Sequence, residues 1–401
     1  MSSSPSSRPI VLLSAAALVL LAGILIYRRQ DSGTVGEPIV TPVARYAAPA
    51  PGVRLDEPSP LAAWPWPNVK PDTPHRGVTH WLARSGDGTV VELFDFDFGT
   101  NPGLRLELFD QDEDDAVPFD NKTHFWPRGV GHIVRGLNTK FKASGSGTIV
   151  AAWNGPFFGY YERSSAGQAA GLANAAHHVA PVVLRGKVFY NTGNHRWTFG
   201  VKYQNGRPVF KVFHLPGRDK LAKEFDYAGG SVQCLILNGE PLKMQPFPQP
   251  GSAVPKQPVK STPQEAGHVP DFDHMKSCRV SMAWSRDNKH LYLLFVKETD
   301  TEGGSIAALR QGKPMGSGWM LSDVQNFWLA LGKTKSIWGA INSDAGDAAQ
   351  LAYLRPDGKY DLVPERMANP AMRLTFTPDF KNAPQGGTLM TFYVRDGGVT
   401  R

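Results

Sequence analysis

Cysteine is nearly absent. The 401-residue chain has only Cys234 and Cys278, without C-x-x-C spacing. A disulfide scaffold and a thiolate zinc centre are therefore excluded. Both residues flank apolar, strand-like segments, so either a single pairing in an oxidising compartment or two buried free thiols fits. Charge is also sparse, at 20% of residues against 41% apolar with 21 Phe and 10 Trp, which excludes global disorder. No G-x-S-x-G and no H-E-x-x-H occurs, which argues against a serine-hydrolase elbow and a zincin helix. There is no internal repeat. The formal charge is +7, but no Lys/Arg stripe is interleaved with aromatics. Nucleic acid is not the expected partner; the mild basicity suits an anionic substrate or surface.

What is abundant is Gly (41) and Pro (33), the composition of a strand-and-loop protein. Behind a short tail at 1–9, residues 10–27 form an uncharged, mostly apolar run bounded by Arg8 and by Arg28-Arg29. About 20 apolar residues span a bilayer. The run reads as an uncleaved signal anchor, with a cleaved signal peptide as the alternative, since no A-x-A site follows. Residues 28–76 are rich in Pro and Ala and read as a linker that lifts the rest off a membrane, on its extracytoplasmic (periplasmic or cell-envelope) side. Residues 77–401 form the domain, with a Pro-rich inserted loop at 241–273.

Alternation predicts strands at Val90–Phe98, Leu104–Phe109, Val182–Tyr190, Trp197–Tyr203, Val209–Leu215, Val280–Trp284 and Leu291–Val296. A buried strand is predicted at Thr148–Trp153. Gln204-Asn205-Gly206 and Asn238-Gly239 are turn signals. Helices are fewer: one from an Ser322 N-cap to Gly332, with Val324, Phe327, Trp328 and Leu331 on one face, and an Ala-rich candidate at Gly167–His178. The fold class is α+β, with mixed, largely antiparallel sheets and few helices.

Two polar clusters stand at the ends of predicted strands. One is Trp153-Asn154-Gly155-Pro156-Phe157-Phe158; the other is Ala340-Ile341-Asn342-Ser343-Asp344-Ala345-Gly346-Asp347-Ala348. Between them lie Leu235 to Asn238-Gly239, the strand opened by Arg279 after Cys278, and the helix from Leu321 to Gly332. In this order the segments resemble the phosphodiester glycosidase family, over roughly residues 80–358. The resemblance implies hydrolysis of a sugar-1-phosphodiester, with a carbohydrate or phosphoglycan of the cell envelope as substrate.

The residue chemistry agrees with that implication. A phosphodiester is an anion and calls for an arginine or a nest of backbone N–H groups, here Arg279 and the glycines Gly155 and Gly346. Asp344 is the candidate acid/base or nucleophile, and Asn154 and Asn342 are candidates for positioning. Period two would put Asn342 and Asp344 on one strand face. A phosphate leaves as a stable anion, so one carboxylate with phosphate-binding groups suffices. The family's Gly-Gly-Gly-Ser is replaced here by Ala345-Gly346-Asp347-Ala348. An extra carboxylate at Asp347 would repel a phosphodiester in a site of low dielectric unless a cation intervenes. Three readings stay open: a divalent metal held by Asp347 and Asp344, a less anionic substrate, or an inactive glycan-binding protein on the same fold. His177-His178 and His195 read as surface or satisfied histidines, and the run Asp110 to Asp115 as a solvated turn that lacks the calcium-loop Gly and Glu.

Overall fold

The computed structural model describes residues 57–114, 128–160, 176–190, 197–245, 251–253, 262–267, 273–274, 276–298, 316–345, 348–363 and 387–397. In chain order the strands are β1 (Asp72–His75), β2 (Val78–Arg84), β3 (Val90–Asp97), β4 (Leu104–Asp110), β5 (Thr148–Asn154), β6 (Gly159–Tyr160), β7 (Ala176–His177), β8 (Val182–Leu184), β9 (Lys187–Tyr190) and β10 (Trp197–Gln204). They continue as β11 (Arg207–His214), β12 (Tyr227–Leu237), β13 (Glu240–Pro241), β14 (Arg279–Ser285), β15 (His290–Lys297), β16 (Ile337–Ala345), β17 (Leu351–Leu354), β18 (Tyr360–Val363) and β19 (Met390–Asp396). Three α-helices are described: α1 (Val130–Ser144), α2 (Arg218–Glu224) and α3 (Leu321–Lys335). The fold is α+β with antiparallel strand pairing throughout the named ladders, as the composition and alternation led one to expect.

Two sheets carry the structure. The larger has twelve strands, nine along the path β1-β2-β3-β15-β14-β16-β12-β10-β11, with β8 and β13 paired to β12 and β9 to β8; the smaller runs β18-β17-β5-β19-β4. β15 shows why the large sheet is covered on both faces. Its Leu291, Leu293 and Phe295 join a core shared with Trp153, Leu351 and Phe392 of the smaller sheet. Its Tyr292, Leu294 and Val296 face the opposite way, with Val324, Phe327, Trp328 and Leu331 of α3. The smaller sheet is covered on its far side by α1, whose Val130, Ile133, Val134 and Leu137 pack with Phe109, Ala152, Ala352 and Tyr393. Both signalled turns are two-residue hairpin loops with positive φ, at Asn205-Gly206 (50° and 76°) and Asn238-Gly239 (55° and 87°).

Several sequence expectations shift. α3 has its apolar face where predicted, but Met320 rather than Ser322 stands at the N-cap, because Asp323 accepts the Met320 N–H at 3.0 Å and the Ser59 N–H at 2.7 Å. The helix also runs past Gly332 to Lys335 and closes on Ser336 in the left-handed conformation. α1 was not foreseen. Its apolar spacing of Val130, Ile133, Val134 and Leu137 is helical, but Gly131 and Gly136 obscure it. Ala176–His177, the end of the Ala-rich candidate helix, is the short strand β7, and residues 161–175 lie outside the described residues. Packed structure begins well upstream of Gly77: Trp66 is buried, Trp64 lies edge-on to Trp66, Trp81 and Phe327, and β1 is an edge strand. Residues 10–27 are outside the described residues; among those described no helix is long and apolar enough to cross a membrane.

Cys234 and Cys278 are both buried thiols that form no disulfide with one another. Burial raises the Cys234 pKa well above its ordinary value, so the thiolate is disfavoured. We expect no reaction with a thiol-specific disulfide reagent in the native state and two thiols titrated after unfolding; a native chain that yields fewer than two on unfolding would show that they pair. Trp66→Ala removes a buried indole from the α3 cluster and should cost about 3–5 kcal/mol, read as a lower denaturant midpoint.

Candidate polar site at the end of the large sheet

On β14, Arg279, Ser281 and Ala283 alternate with Val280 and Met282, which belong to the core between the sheets. The first three therefore face α3. Ser281 is fixed there, accepting the Trp328 Nε1–H at 2.7 Å and donating to the Ile341 carbonyl. In register, Ser281 opposes Asn342, and Asn342 opposes Gln233 of β12. A polar layer results across three strands. Asn342 Nδ2 donates to Gln233 Oε1 at 2.8 Å and to the Ser343 carbonyl at 2.9 Å. Gln233 Nε2 donates to Asp273 Oδ1 at 2.7 Å and to the Gly267 carbonyl at 3.1 Å. Asn342 Oδ1 is buried and receives no donor. An acceptor left so is costly unless a hydroxyl or water meets it.

Arg279 lies in the same layer, with no exposed surface. Its Nε–H donates to the Trp319 carbonyl at 2.8 Å, just before α3. Loss of hydration lowers its pKa to about 10; Asp273, Asp323 and Glu298 oppose that loss. The guanidinium stays charged at neutral pH, held among three buried carboxylates. Asp323 carries the complementary shift: burial raises its pKa, and the Ser59 and Met320 N–H groups, Lys276 and Arg279 restrain the rise.

Asp344 departs from the simple alternation. Ser281 opposes Asn342 but Arg279 opposes Ala345, so two residues of β14 are matched by three of β16. The extra residue is a β-bulge. It sets Ser343 and Asp344 together against Val280, so Asp344 does not share the face of Asn342. The bulge meets the other sheet: Ser343 Oγ donates to the Gly155 carbonyl at 2.6 Å, and the Asp344 N–H approaches the same oxygen at 3.3 Å. Asp344 keeps 6% of its surface exposed.

Gly155 is the matching element. Its N–H donates to the Met390 carbonyl at 2.7 Å while its own carbonyl serves β16. A Cβ there would lie 2.7 Å from the Met390 oxygen and 2.9 Å from the Met390 carbonyl carbon, both backbone atoms. Asn154 is one residue away but points elsewhere. It shares the strand face of Ala152, toward α1, and its Oδ1 accepts the Gln350 N–H at 3.1 Å. The structure thus brings Arg279, Asn342, Asp344 and Gly155 to one end of the large sheet and turns the Asn154 side chain away. Gly346 and Asp347 lie outside the described residues. Among the described residues no group of three or more His, Cys, Asp and Glu is arranged to hold a metal ion.

Gln233, Asp273, Glu298 and Asp323 were not legible as site residues. Gln233 sits inside the apolar run Val232–Leu237, and the other three are near in space but not in sequence. The acidic run is not the solvated turn that its sequence predicts. Asp110 and Asp112 are fully buried rather than solvated. Asp110 Oδ2 lies 2.7 Å from His178 Nε2, and Asp112 accepts the Tyr190 hydroxyl. A His stacked on Tyr190, with its ring centroid 3.8 Å away, carries no sequence signal of its own.

No family model matches the chain, and no curated protein matches it. Solved structures give distant likenesses. The zebrafish N-acetylglucosamine-1-phosphodiester alpha-N-acetylglucosaminidase catalytic domain, auto-inhibited by its pro-peptide, is 12% identical at a TM-score of 0.44, over 90% of this chain and 98% of that one. A hypothetical protein from Synechocystis is 12% identical at 0.42, over 82% of this chain and 64% of that one. A putative exported protein from Burkholderia pseudomallei K96243 is 10% identical at 0.40, over 79% and 74%. At these identities and scores the likenesses assign no role to any residue here.

Gly155→Ala should destabilise the protein by about 2 kcal/mol or more, because only backbone can yield to the added methyl. Chemical denaturation checks this. An unchanged midpoint would mean that the two sheets are not held in contact there.

Proposed function

We propose that the chain hydrolyses a sugar-1-phosphodiester, with the reaction at the end of β16. The observation that carries the reading is Asp344: a carboxylate set on a β-bulge, held against Gly155 by backbone, and beside a buried amide layer that has one acceptor to spare. In this reading Asp344 attacks the anomeric carbon or activates water, and the phosphate departs as a stable anion without a strong general acid. Asn342, buried on the opposite face, holds β16 in place through Gln233 rather than touching the sugar. Arg279 supplies a fixed positive charge behind the phosphate rather than a direct contact, since its guanidinium is buried and Nε is already committed to Trp319. A divalent metal at Asp344 and Asp347 belongs to the same proposal. So does an extracytoplasmic location behind the 10–27 segment; a mature N-terminus near residue 30 would contradict the anchor.

One observation favours a second reading. Asp273, Asp323 and Glu298 surround Arg279, so the layer as a whole is not electropositive. A domain that binds a neutral envelope glycan without turnover fits that balance.

With an aryl sugar-1-phosphodiester, Asp344→Asn should lower kcat/KM by about 100-fold or more while the far-ultraviolet circular dichroism stays unchanged. Undiminished hydrolysis by that variant would sink the assignment. Saturable binding of the substrate by the unaltered protein with no hydrolysis, with or without added divalent metal, would establish the second reading.

A further inference from the structure

One level of the smaller sheet carries a row of buried polar side chains whose hydrogen-bonding capacity is unmet. Asn154 opposes Thr391 in register, and Gln350 joins Asn154 through the bonds Asn154 N–H to Gln350 carbonyl and Gln350 N–H to Asn154 Oδ1. By alternation all three share the face of Ala152, Tyr393 and Ala352, which packs on α1. The N-terminus of α1 stands directly over this row, for Gln350 Oε1 accepts the Val130 N–H at 2.8 Å.

These bonds fix both amide orientations. With the two oxygens committed to backbone N–H groups, the remaining atoms Asn154 Nδ2 and Gln350 Nε2 are donors. Neither has a partner, and neither has Thr391 Oγ1. Asn154 and Thr391 have no exposed surface and Gln350 only 1%. The 15-residue helix above adds the positive end of its dipole. Its first turn has no acidic side chain, and its Gly129 N-cap offers no side-chain acceptor. Three side-chain groups and the helix end therefore call for an acceptor, and among the described residues none meets Asn154 Nδ2, Gln350 Nε2 or Thr391 Oγ1. A water would accept from both amides and donate to Thr391 Oγ, but it carries no charge to answer the helix dipole. An anion accepts from every direction and answers the dipole.

The geometry points to a buried site for a small monatomic anion, of chloride or bromide size, bound by Asn154 Nδ2, Gln350 Nε2 and the Thr391 hydroxyl at the α1 N-terminus. The anion ties α1 to β5, β17 and β19. The site lies on the face of the smaller sheet turned away from the large sheet. It is separate from the proposed hydrolytic site, and either can fail alone.

The test uses the whole chain, freed of halide by exchange into sodium gluconate and titrated with sodium bromide at constant ionic strength. The expected result is a saturable rise in Tm, with an anomalous bromide peak within hydrogen-bond reach of Asn154 Nδ2 and Gln350 Nε2 in crystals soaked in bromide. Thr391→Val should raise the apparent Kd about tenfold, as loss of one hydrogen bond to a charged group does. Gln350→Glu keeps an acceptor for the Val130 N–H and installs a carboxylate at the helix end. It should fold and lose the saturable bromide response. A Tm that ignores bromide, density at the site without anomalous signal, or an undiminished response in Gln350→Glu would each overturn the inference.

Discussion

The two sheets depend on one close backbone contact. Gly155 donates its N–H to Met390 within the smaller sheet and lends its carbonyl to Ser343 and Asp344 in the large one. A side chain at Gly155 would meet Met390 backbone before it met anything that could move. The bulge in β16 exists at the same place, so that two successive residues of one strand can serve a single carbonyl of the other sheet. Sheet packing, the bulge and the placement of Asp344 are thus consequences of one constraint. Position 344 is fixed by backbone on both sides, which is what a reacting group on a rigid scaffold requires.

Away from that contact, the polar residues of the large sheet form a hydrogen-bonded layer more than an open cleft. Asn342, Gln233 and Asp273 are chained by hydrogen bonds, and Arg279 is held by the Trp319 carbonyl and by the field of three carboxylates. Such a layer fixes register strongly, because a slip by one residue would bury unpaired amides and an unpaired charge. It also explains why Asp323 serves two purposes. It caps α3 through Met320, and it anchors the segment at Ser59, which brings the indoles of Trp64 and Trp66 onto Phe327.

Alternation and turn chemistry made much of the fold legible in the sequence. The α+β class, the Asn205-Gly206 and Asn238-Gly239 hairpins and the apolar face of α3 follow from local rules. Arg279 and Asn342 come together as neighbouring strands would place them. What was hidden depends on long-range geometry. Period two cannot see a bulge, and so it predicts Asp344 on the face of Asn342. Asn154 and Gly155 are adjacent in a motif, yet one faces α1 and the other meets β16. Gln233 is camouflaged inside an apolar strand. Asp110 and Asp112 look solvated until His178 and Tyr190, from a distant segment, are folded over them.

The measurement that bears most directly on this account is a crystal structure of the Asp344→Asn variant holding an intact sugar-1-phosphodiester. The account places the anomeric carbon beside the side chain at position 344 and the sugar against the Gly155 junction. A ligand bound on another face of the molecule, or one whose anomeric carbon lies out of reach of position 344, would contradict it.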